Sequence, residues 1–315
     1  MKFHLDYTPP PAGFCIHHKS KLMLMGSCFS EHIGNALQER AFPVYTNPDG
    51  IVFNPHSMAL SLEKAMNMDA VDESCFVERN GTVFSYLHHS SVSANDATAL
   101  KTFLLEKREE THHQLKQAEV LLLTFGSAFH YQLKSNRQIV ANCHKQNPDL
   151  FIKQLADLET LLNFYRRVIK QLLDFSPNLK IVLTVSPVKH LRDGLIENTI
   201  SKSTLLLFVH HLCKEFSNCS YFPAYELVND DLRDYRFYKE DLAHPNQQAI
   251  DYVWEKFSDC FFNEQTKQLN REIEKLNKAK AHRVLHPTGE QDATHQAFMA
   301  RQTQIIRELN PEIGF

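Results

Sequence analysis

The chain has 315 residues, of which 43% are hydrophobic, and 34 Lys and Arg stand against 37 Asp and Glu for a formal net charge of −3. This length and apolar content allow a substantial core and argue against global disorder. The near balance of charge argues against nucleic acid or an anionic membrane as the main partner.

Targeting signals are absent from the sequence pattern. Residues 1–13 show no basic segment followed by an apolar run, and no apolar stretch is long enough to cross a bilayer. The seven cysteines are scattered without a Cys-x-x-Cys pair, which is typical of reduced thiols. We therefore expect a cytoplasmic protein without a membrane span.

The first predicted strand covers residues 21–25 and runs directly into the turn Gly26-Ser27-Cys28. A helix follows, because Ile33 and Leu37 are spaced to share one helix face. This arrangement places a small polar residue, Ser27, in the turn between a buried strand and a helix.

The middle of the chain alternates apolar strands with amphipathic helices and carries one hairpin signal. Asn80-Gly81 separates two alternating runs within residues 74–92, the pattern that favours a β-hairpin. Residues 129–148 form a second excursion, and the spacing of apolar residues predicts a helix over 150–175. The remaining predicted helices cover residues 56–68, 96–118 and 199–216 and the stretch that follows Asn246.

Five strands, beginning near residues 21, 43, 120, 180 and 220, alternate with these helices. This order predicts an α/β fold of three layers, with helices on both faces of a mostly parallel sheet of about five strands. We expect one domain over residues 1–263 and a C-terminal helical extension over 264–315, where the composition becomes strongly charged. The thin apolar stripe of the extension could support self-association.

Ligands bind at the carboxyl ends of the strands in such sheets. The predicted turns at those ends are Gly26-Ser27, Asn47–Gly50, Gly126-Ser127 and Ser186-Pro187. A serine hydroxyl becomes a nucleophile when a base accepts its proton, and the start of a helix can stabilise the resulting oxyanion together with the backbone N–H of Ser27. Two alternatives are that Ser27 or Ser30 only caps the helix and that Cys28 is the nucleophile.

Asp241 and His244 lie three residues apart in a loop just before a helix. At this spacing the carboxylate can accept the Nδ1–H of the imidazole, so that Nε2 would face a serine as general base. The alternative is an ordinary loop with a solvated Asp241 and a helix entry at His244-Pro245-Asn246. The sequence thus contains the parts of a serine–histidine–aspartate triad, with the nucleophile near the start of the chain and the base near its end.

The stretch Gly26-Ser27-Cys28-Phe29-Ser30 resembles the motif that names the GSCFA family of the SGNH hydrolase superfamily. Further blocks similar to that family occur in order along the chain, at Asn47–Ile51, His88–Ser90, Thr124–Ala128, Ala141–Lys145, Thr184–Gly194 and His244-Pro245. The resemblance implies a flavodoxin-like sheet and ester hydrolysis, often deacetylation, with Ser27 as nucleophile and Asp241 and His244 as the base pair.

One block departs from the superfamily pattern. Typical members place an Asn after the central strand as an oxyanion donor, whereas this chain has Gly126-Ser127-Ala128 there. The resemblance offers the backbone N–H of Gly50 as one donor. The other candidate oxyanion or substrate-binding residues are Gly126, Asn142, His89, His144 and His190, the last followed by Arg192 and Asp193. For Asn142 and His89, the alternatives are a turn contact and a cap on the hairpin.

These features predict a serine esterase that removes O-acyl groups, in particular acetyl groups, from a carbohydrate-like or other small ester. An O-acyltransferase on the same scaffold and a binding module without chemistry are the alternatives. The sequence shows no phosphate-binding loop, no dinucleotide fingerprint and no His-Glu-x-x-His. We therefore expect neither a metal nor an organic cofactor.

Overall fold

The computed structural model describes residues 7–282 and 289–313. The strands in this part of the chain are β1 (Leu22–Gly26), β2 (Val44–Thr46), β3 (Phe76–Arg79), β4 (Thr82–Ser85), β5 (Ser93–Ala94), β6 (Val120–Phe125), β7 (Phe129–Leu133), β8 (Ile139–Val140), β9 (Phe151–Leu155), β10 (Lys180–Val185) and β11 (Cys219–Tyr221). The helices are α1 (Cys28–Glu39), α2 (Pro55–Asn67), α3 (Ala97–Gln117), α4 (Leu158–Phe175), α5 (Leu195–Glu215), α6 (Ala224–Glu226), α7 (Gln247–Phe261), α8 (Glu264–Ala281) and α9 (Gly289–Leu309).

The central sheet has five parallel strands in the order β11-β10-β6-β1-β2. Counted along the chain, this is the 2-1-3-4-5 order of flavodoxin-like sheets. The prediction of a five-stranded parallel sheet is therefore confirmed. The strand order reverses between β1 and β6, and a crevice at such a reversal is where ligands bind in open α/β sheets. Ser27 and Gly126 directly follow these two strands.

Alternate residues of the central strands enter opposite layers of the core. Met23 and Met25 of β1 join the apolar side chains of α2, α4 and α5, whereas Leu22 and Leu24 join those of α1 and α7. This alternation follows from the two-residue period of a strand. Both faces of the sheet are thus covered by helices, as the predicted three-layer fold requires.

Two small antiparallel sheets are inserted into this frame. The first contains β3, β4 and β5, and its Asn80-Gly81 turn confirms the predicted hairpin. The second has the order β8-β7-β9. Tyr86, Val140 and Phe151 form a shared apolar cluster that joins the two insertions.

The helix predicted over residues 150–175 is wrong in its first part. Residues Phe151–Leu155 form β9, which pairs with β7, and α4 begins only at Leu158. Asp157 caps α4 by accepting the N–H of Thr160 over 2.8 Å. The apolar spacing of this stretch fits either element, and the distant partner strand decides in favour of β9.

The C-terminal helices α8 and α9 build a small apolar cluster of their own. Leu269, Ile273 and Leu276 of α8 pack on Ile306 of α9, and Ala41 connects this cluster to the sheet domain. The division at residue 264 and self-association through these helices stay predictions, and residues 283–288 and 314–315 of the predicted extension lie outside the described residues. Within the described part of the chain, no helix combines the length and the apolar character that a membrane span needs.

Candidate active site

Ser27 follows a position that only glycine can occupy. Gly26 has φ +142°, and a Cβ atom built on it would lie 2.3 Å from the carbonyl oxygen of Thr124. Ser27 is the N-cap of α1, and its Oγ accepts the N–H of Phe29 over 3.3 Å. The expected helix cap is therefore present. Because the hydroxyl oxygen only accepts in this contact, its proton remains available to a base.

The predicted backbone donors for an oxyanion each donate to a carbonyl in this structure. The N–H of Ser27 donates to Thr124 over 3.3 Å, that of Gly50 to Asn47 over 2.9 Å, and that of Gly126 to Phe53 over 2.8 Å. An oxyanion would have to compete with these partners for each of the three groups.

Asp241 and His244 form the hydrogen-bonded pair that their spacing predicts. His244 donates its Nδ1–H to Asp241 Oδ2 over 2.6 Å, and Asp241 Oδ1 accepts the N–H groups of His244 and Ala243 over 2.9 Å each. The backbone N–H of His244, with that of Ala243 and the imidazole, holds the pKa of the Asp241 carboxyl well below its usual range. Since Nδ1 carries the proton that Asp241 accepts, Nε2 is the ring nitrogen left to take a proton from a nucleophile.

His244 lines a narrow cleft together with the first turn of α1. Cys28 and Phe29, which directly follow Ser27, also line it. The remaining lining residues are His32, Pro187, Val188, Val228, Pro245, Ala249, Ile250 and Val253. The fold thus brings His244, from late in the chain, into one cleft with the first turn of the helix that Ser27 caps.

The thiol of Cys28, the residue after Ser27, does not have the lowered pKa that is typical of a reactive cysteine. Burial is the main cause that raises the pKa of its thiol, and the nearby Glu31 carboxylate raises it further. A raised pKa keeps the sulfur protonated near neutral pH, whereas the thiolate is the nucleophilic form. The Cys28 thiol is therefore a weak nucleophile near neutral pH.

Asn142 and His144 lie where the two insertions meet. The side-chain oxygen of Asn142 accepts the N–H of His144 over 2.8 Å, the turn contact expected as the alternative. His144 is 2% exposed, donates Nε2–H to the carbonyl of Ser85 over 2.8 Å, and stacks on Phe84. The His144 side chain thus joins the two inserted sheets, and the Asn142 side chain fixes the turn that carries His144.

His89 lies against the loop that follows β2. Its backbone N–H donates to the carbonyl of Asp49 over 2.9 Å, and a Cβ atom at Gly50 would lie 2.5 Å from His89 Cβ. Gly50 has φ +72°, so a side chain there would be both strained and obstructed. His89 therefore lies at the carboxyl ends of the sheet strands, on the β2 side of Ser27.

His190 lies on the other side of Ser27, at the end of β6. Its Nε2–H donates to the carbonyl of Gly126 over 3.0 Å, and burial together with the charge of Lys202 lowers its pKa to about 4. The imidazole is therefore neutral near pH 7. The neighbouring Arg192 and Asp193 are exposed, and Asp193 forms an ion pair with Lys153.

Lys202 is a residue that the sequence analysis missed. Its side chain is 1% exposed, and its Nζ donates to the carbonyls of Gly126 and Ser186 over 2.6 and 2.7 Å. Burial lowers its pKa to about 7. The ammonium group thus joins the carboxyl ends of β6 and β10. A sequence signal exists, because Lys202 is spaced with Asn198 and Leu205 on the buried face of α5.

No cluster of three or more His, Cys, Asp or Glu side chains suited to a metal ion occurs in residues 7–282 and 289–313.

Comparison with known proteins identifies one family. The sequence profile of the GSCFA family matches residues 21–257, which include Ser27, Asp241 and His244. No match is found among curated proteins. The fold is similar to that of a carbohydrate esterase family 3 protein from Talaromyces cellulolyticus, at 7% identity and a TM-score of 0.38, over 80% of this chain and 99% of the other. It is also similar to an acetyl xylan esterase from the rumen bacterium Butyrivibrio proteoclasticus, at 9% identity and a TM-score of 0.39, over 77% of this chain and 63% of the other.

Proposed function

The chain belongs to the GSCFA family, and from this premise we propose that it is a serine hydrolase that cleaves carboxylic esters. The observation that carries the proposal is the hydrogen-bonded pair of Asp241 and His244 in one cleft with the first turn of α1. Nucleophilic acyl transfer by a serine needs a base that a carboxylate orients, and the Asp241–His244 pair is such a base.

In the proposed reaction, Ser27 Oγ attacks the ester carbonyl carbon while its proton passes to Nε2 of His244. Asp241 holds the imidazole in the tautomer that has a free Nε2, and its charge stabilises the imidazolium that forms. His244 then returns the proton to the departing alcohol, leaving an acyl group on Ser27. Water, deprotonated by the same imidazole, releases the acid and restores the serine.

The lining of the cleft suits an acyl group as the part of the substrate that enters. Phe29, Val188, Ile250 and Val253 give the cleft an apolar wall. We propose O-acyl esters, in particular O-acetyl esters, of a carbohydrate-like or other small alcohol as substrates.

Hydrolysis of p-nitrophenyl acetate and p-nitrophenyl butyrate by the full chain tests this proposal. We expect release of p-nitrophenol by the wild type and a loss of about 10³-fold or more in Ser27→Ala, as for the removal of a catalytic serine. Ser74→Ala, a change at an exposed serine in the Asp72 turn, is the matched control and should keep the wild-type rate. Equal rates in the wild type and Ser27→Ala would end the proposal, and product formation only with an added acceptor alcohol would indicate acyl transfer.

A further inference from the structure

Asn47 is fixed beside the Ser27 turn by three hydrogen bonds. Its N–H donates to the carbonyl of Leu24 over 2.8 Å, its carbonyl accepts the N–H of Gly50 over 2.9 Å, and its Oδ1 accepts the N–H of Gly26 over 2.9 Å. The residue has φ +47°, a left-handed conformation that asparagine tolerates better than most side chains. Hydrogen bonds therefore fix both the backbone of Asn47 and its side-chain amide oxygen.

The fourth polar group of Asn47 has no partner among the residues that the structure describes. Because the N–H of Gly26 needs an acceptor, the atom that faces it is Oδ1, and the amide nitrogen Nδ2 lies on the other branch of the side chain. This Nδ2 is buried and donates to no atom of the residues that the structure describes. A buried donor without an acceptor is destabilising, so native proteins rarely keep one. An acceptor on a bound ligand would satisfy this donor.

The position of Asn47 relates it to the proposed nucleophile. β2 pairs directly with β1, so the residue that follows β2 lies next to the turn that follows β1. Gly26, which Asn47 Oδ1 contacts, is bonded to Ser27. On the opposite side of Ser27, the chain has Gly126-Ser127-Ala128 and no amide side chain. The backbone N–H groups of Ser27, Gly50 and Gly126 already donate to carbonyls.

We propose that the Asn47 Nδ2–H group is the side-chain donor that stabilises the oxyanion formed on Ser27, an inference that rests on the proposed esterase function. When Ser27 Oγ bonds to the carbonyl carbon, the π electrons move to the carbonyl oxygen and the Oγ proton moves to His244. Asn47 donates a hydrogen bond to that oxygen. Collapse restores the C=O bond and expels the alkoxide, which takes the proton from His244.

The alternative is that Asn47 only fixes the turn through its oxygen. Asn47→Asp keeps an acceptor for Gly26, removes both side-chain hydrogens and adds a negative charge, so an unchanged rate would exclude the donor role. We expect kcat for p-nitrophenyl acetate to fall about 10²–10³-fold, the usual cost of one oxyanion donor, with KM changed by less than about threefold. Asn263→Asp is the matched control, since Asn263 caps α8 through Oδ1 and should keep both its cap and the wild-type rate.

The outcomes distinguish this inference from the esterase proposal. A wild type with neither esterase activity nor fluorophosphonate labelling overturns both, whereas an active wild type with an equally active Asn47→Asp overturns the inference alone. Asn47→Gly, which keeps the left-handed backbone, provides a second variant. If neither variant folds, a crystal structure of the wild-type phosphonate adduct decides. A phosphonyl oxygen about 2.7–3.1 Å from Asn47 Nδ2 supports the inference, and one more than about 4 Å away overturns it.

Discussion

His244 donates its Nδ1–H to Asp241 over 2.6 Å, and the same carboxylate accepts the N–H of His244 itself. The two contacts fix both the ring and the loop that carries it. They also fix the tautomer, since the carboxylate can only accept and Nδ1 must therefore carry the proton. Nε2 is the other nitrogen of this imidazole, and His244 lines one cleft with Cys28 at the start of α1.

The pair should act as one unit in catalysis. Asp241→Asn would replace the acceptor with an amide that favours the wrong tautomer, and we expect kcat to fall about 10³–10⁴-fold. His244→Gln should cost at least as much, and the double variant should lose little more than His244→Gln alone. Esterase rates of the three variants check this. Asp251→Asn, a change at an exposed carboxylate on α7, is the control, and losses that multiply in the double variant would contradict a shared role.

The thiol next to the proposed nucleophile should be dispensable. Cys28 has a raised pKa because it is buried, so it is protonated near neutral pH and is a weak nucleophile. We expect Cys28→Ala to keep esterase activity within about threefold of the wild type, while Ser27→Ala loses it. Rates of both variants and their reaction with iodoacetamide give the comparison. Loss of activity in folded Cys28→Ala, with activity retained in Ser27→Ala, would assign the chemistry to the thiol.

Gly26→Ala should be among the most costly single substitutions in the sheet. The new Cβ would lie 2.3 Å from the carbonyl oxygen of Thr124, and φ at this position is +142°. Steric overlap with a backbone atom and a forbidden backbone region together should lower the free energy of unfolding by about 3 kcal/mol or more. Gly13→Ala is the control, since no atom lies within 4 Å of its Cβ position. Urea unfolding measures both, and a change below about 0.5 kcal/mol at Gly26 would disprove the close approach.

The stability of the protein should fall as the pH drops from about 6.5 to about 4. Burial is the main cause that lowers the pKa of His56 and of His190 to about 4, against an ordinary value of 6.5. Between these values the unfolded chain binds protons that the folded chain excludes, so acid favours unfolding in this window. Each group contributes on the order of 3 kcal/mol. Below about pH 4 both states are protonated at these rings and their contribution levels off.

His56→Phe isolates this effect. His56 is 8% exposed and packs against His130 with ring centroids 4.6 Å apart, so an apolar ring suits the position. The melting temperature of the variant should depend less on pH between 6.5 and 4 than that of the wild type. His113→Gln, at an exposed ring, should leave the slope unchanged. An unchanged slope in His56→Phe would show that this imidazole does not carry the effect.

Local sequence patterns predicted those structural features that depend only on neighbouring residues. The apolar runs of β1, β6 and β10 are continuous because both faces of these strands are buried, and Asn80-Gly81 specifies its own hairpin. The Asp241–His244 pair was predictable for the same reason, since a carboxylate and an imidazole three residues apart can meet within one loop.

Features that depend on distant partners were not predictable in this way. The stretch Phe151–Leu155 became a strand because β7 pairs with it, although its apolar spacing also fits a helix. Lys202 donates to carbonyl groups at the ends of two strands, and Asn47 contacts Gly26 only because β2 lies beside β1. In a single sequence, nothing specifies those long-range contacts.

Labelling of the full chain with a fluorophosphonate tests the central claim that Ser27 is an activated nucleophile. Displacement of fluoride by Ser27 Oγ requires the base, so the folded wild type should gain one phosphonyl group. Peptide mass spectrometry should place it on Ser27, the adduct should be absent in Ser27→Ala, and it should form slowly in His244→Gln. Folded wild-type protein that stays unlabelled, or that is labelled equally in Ser27→Ala, would contradict the account.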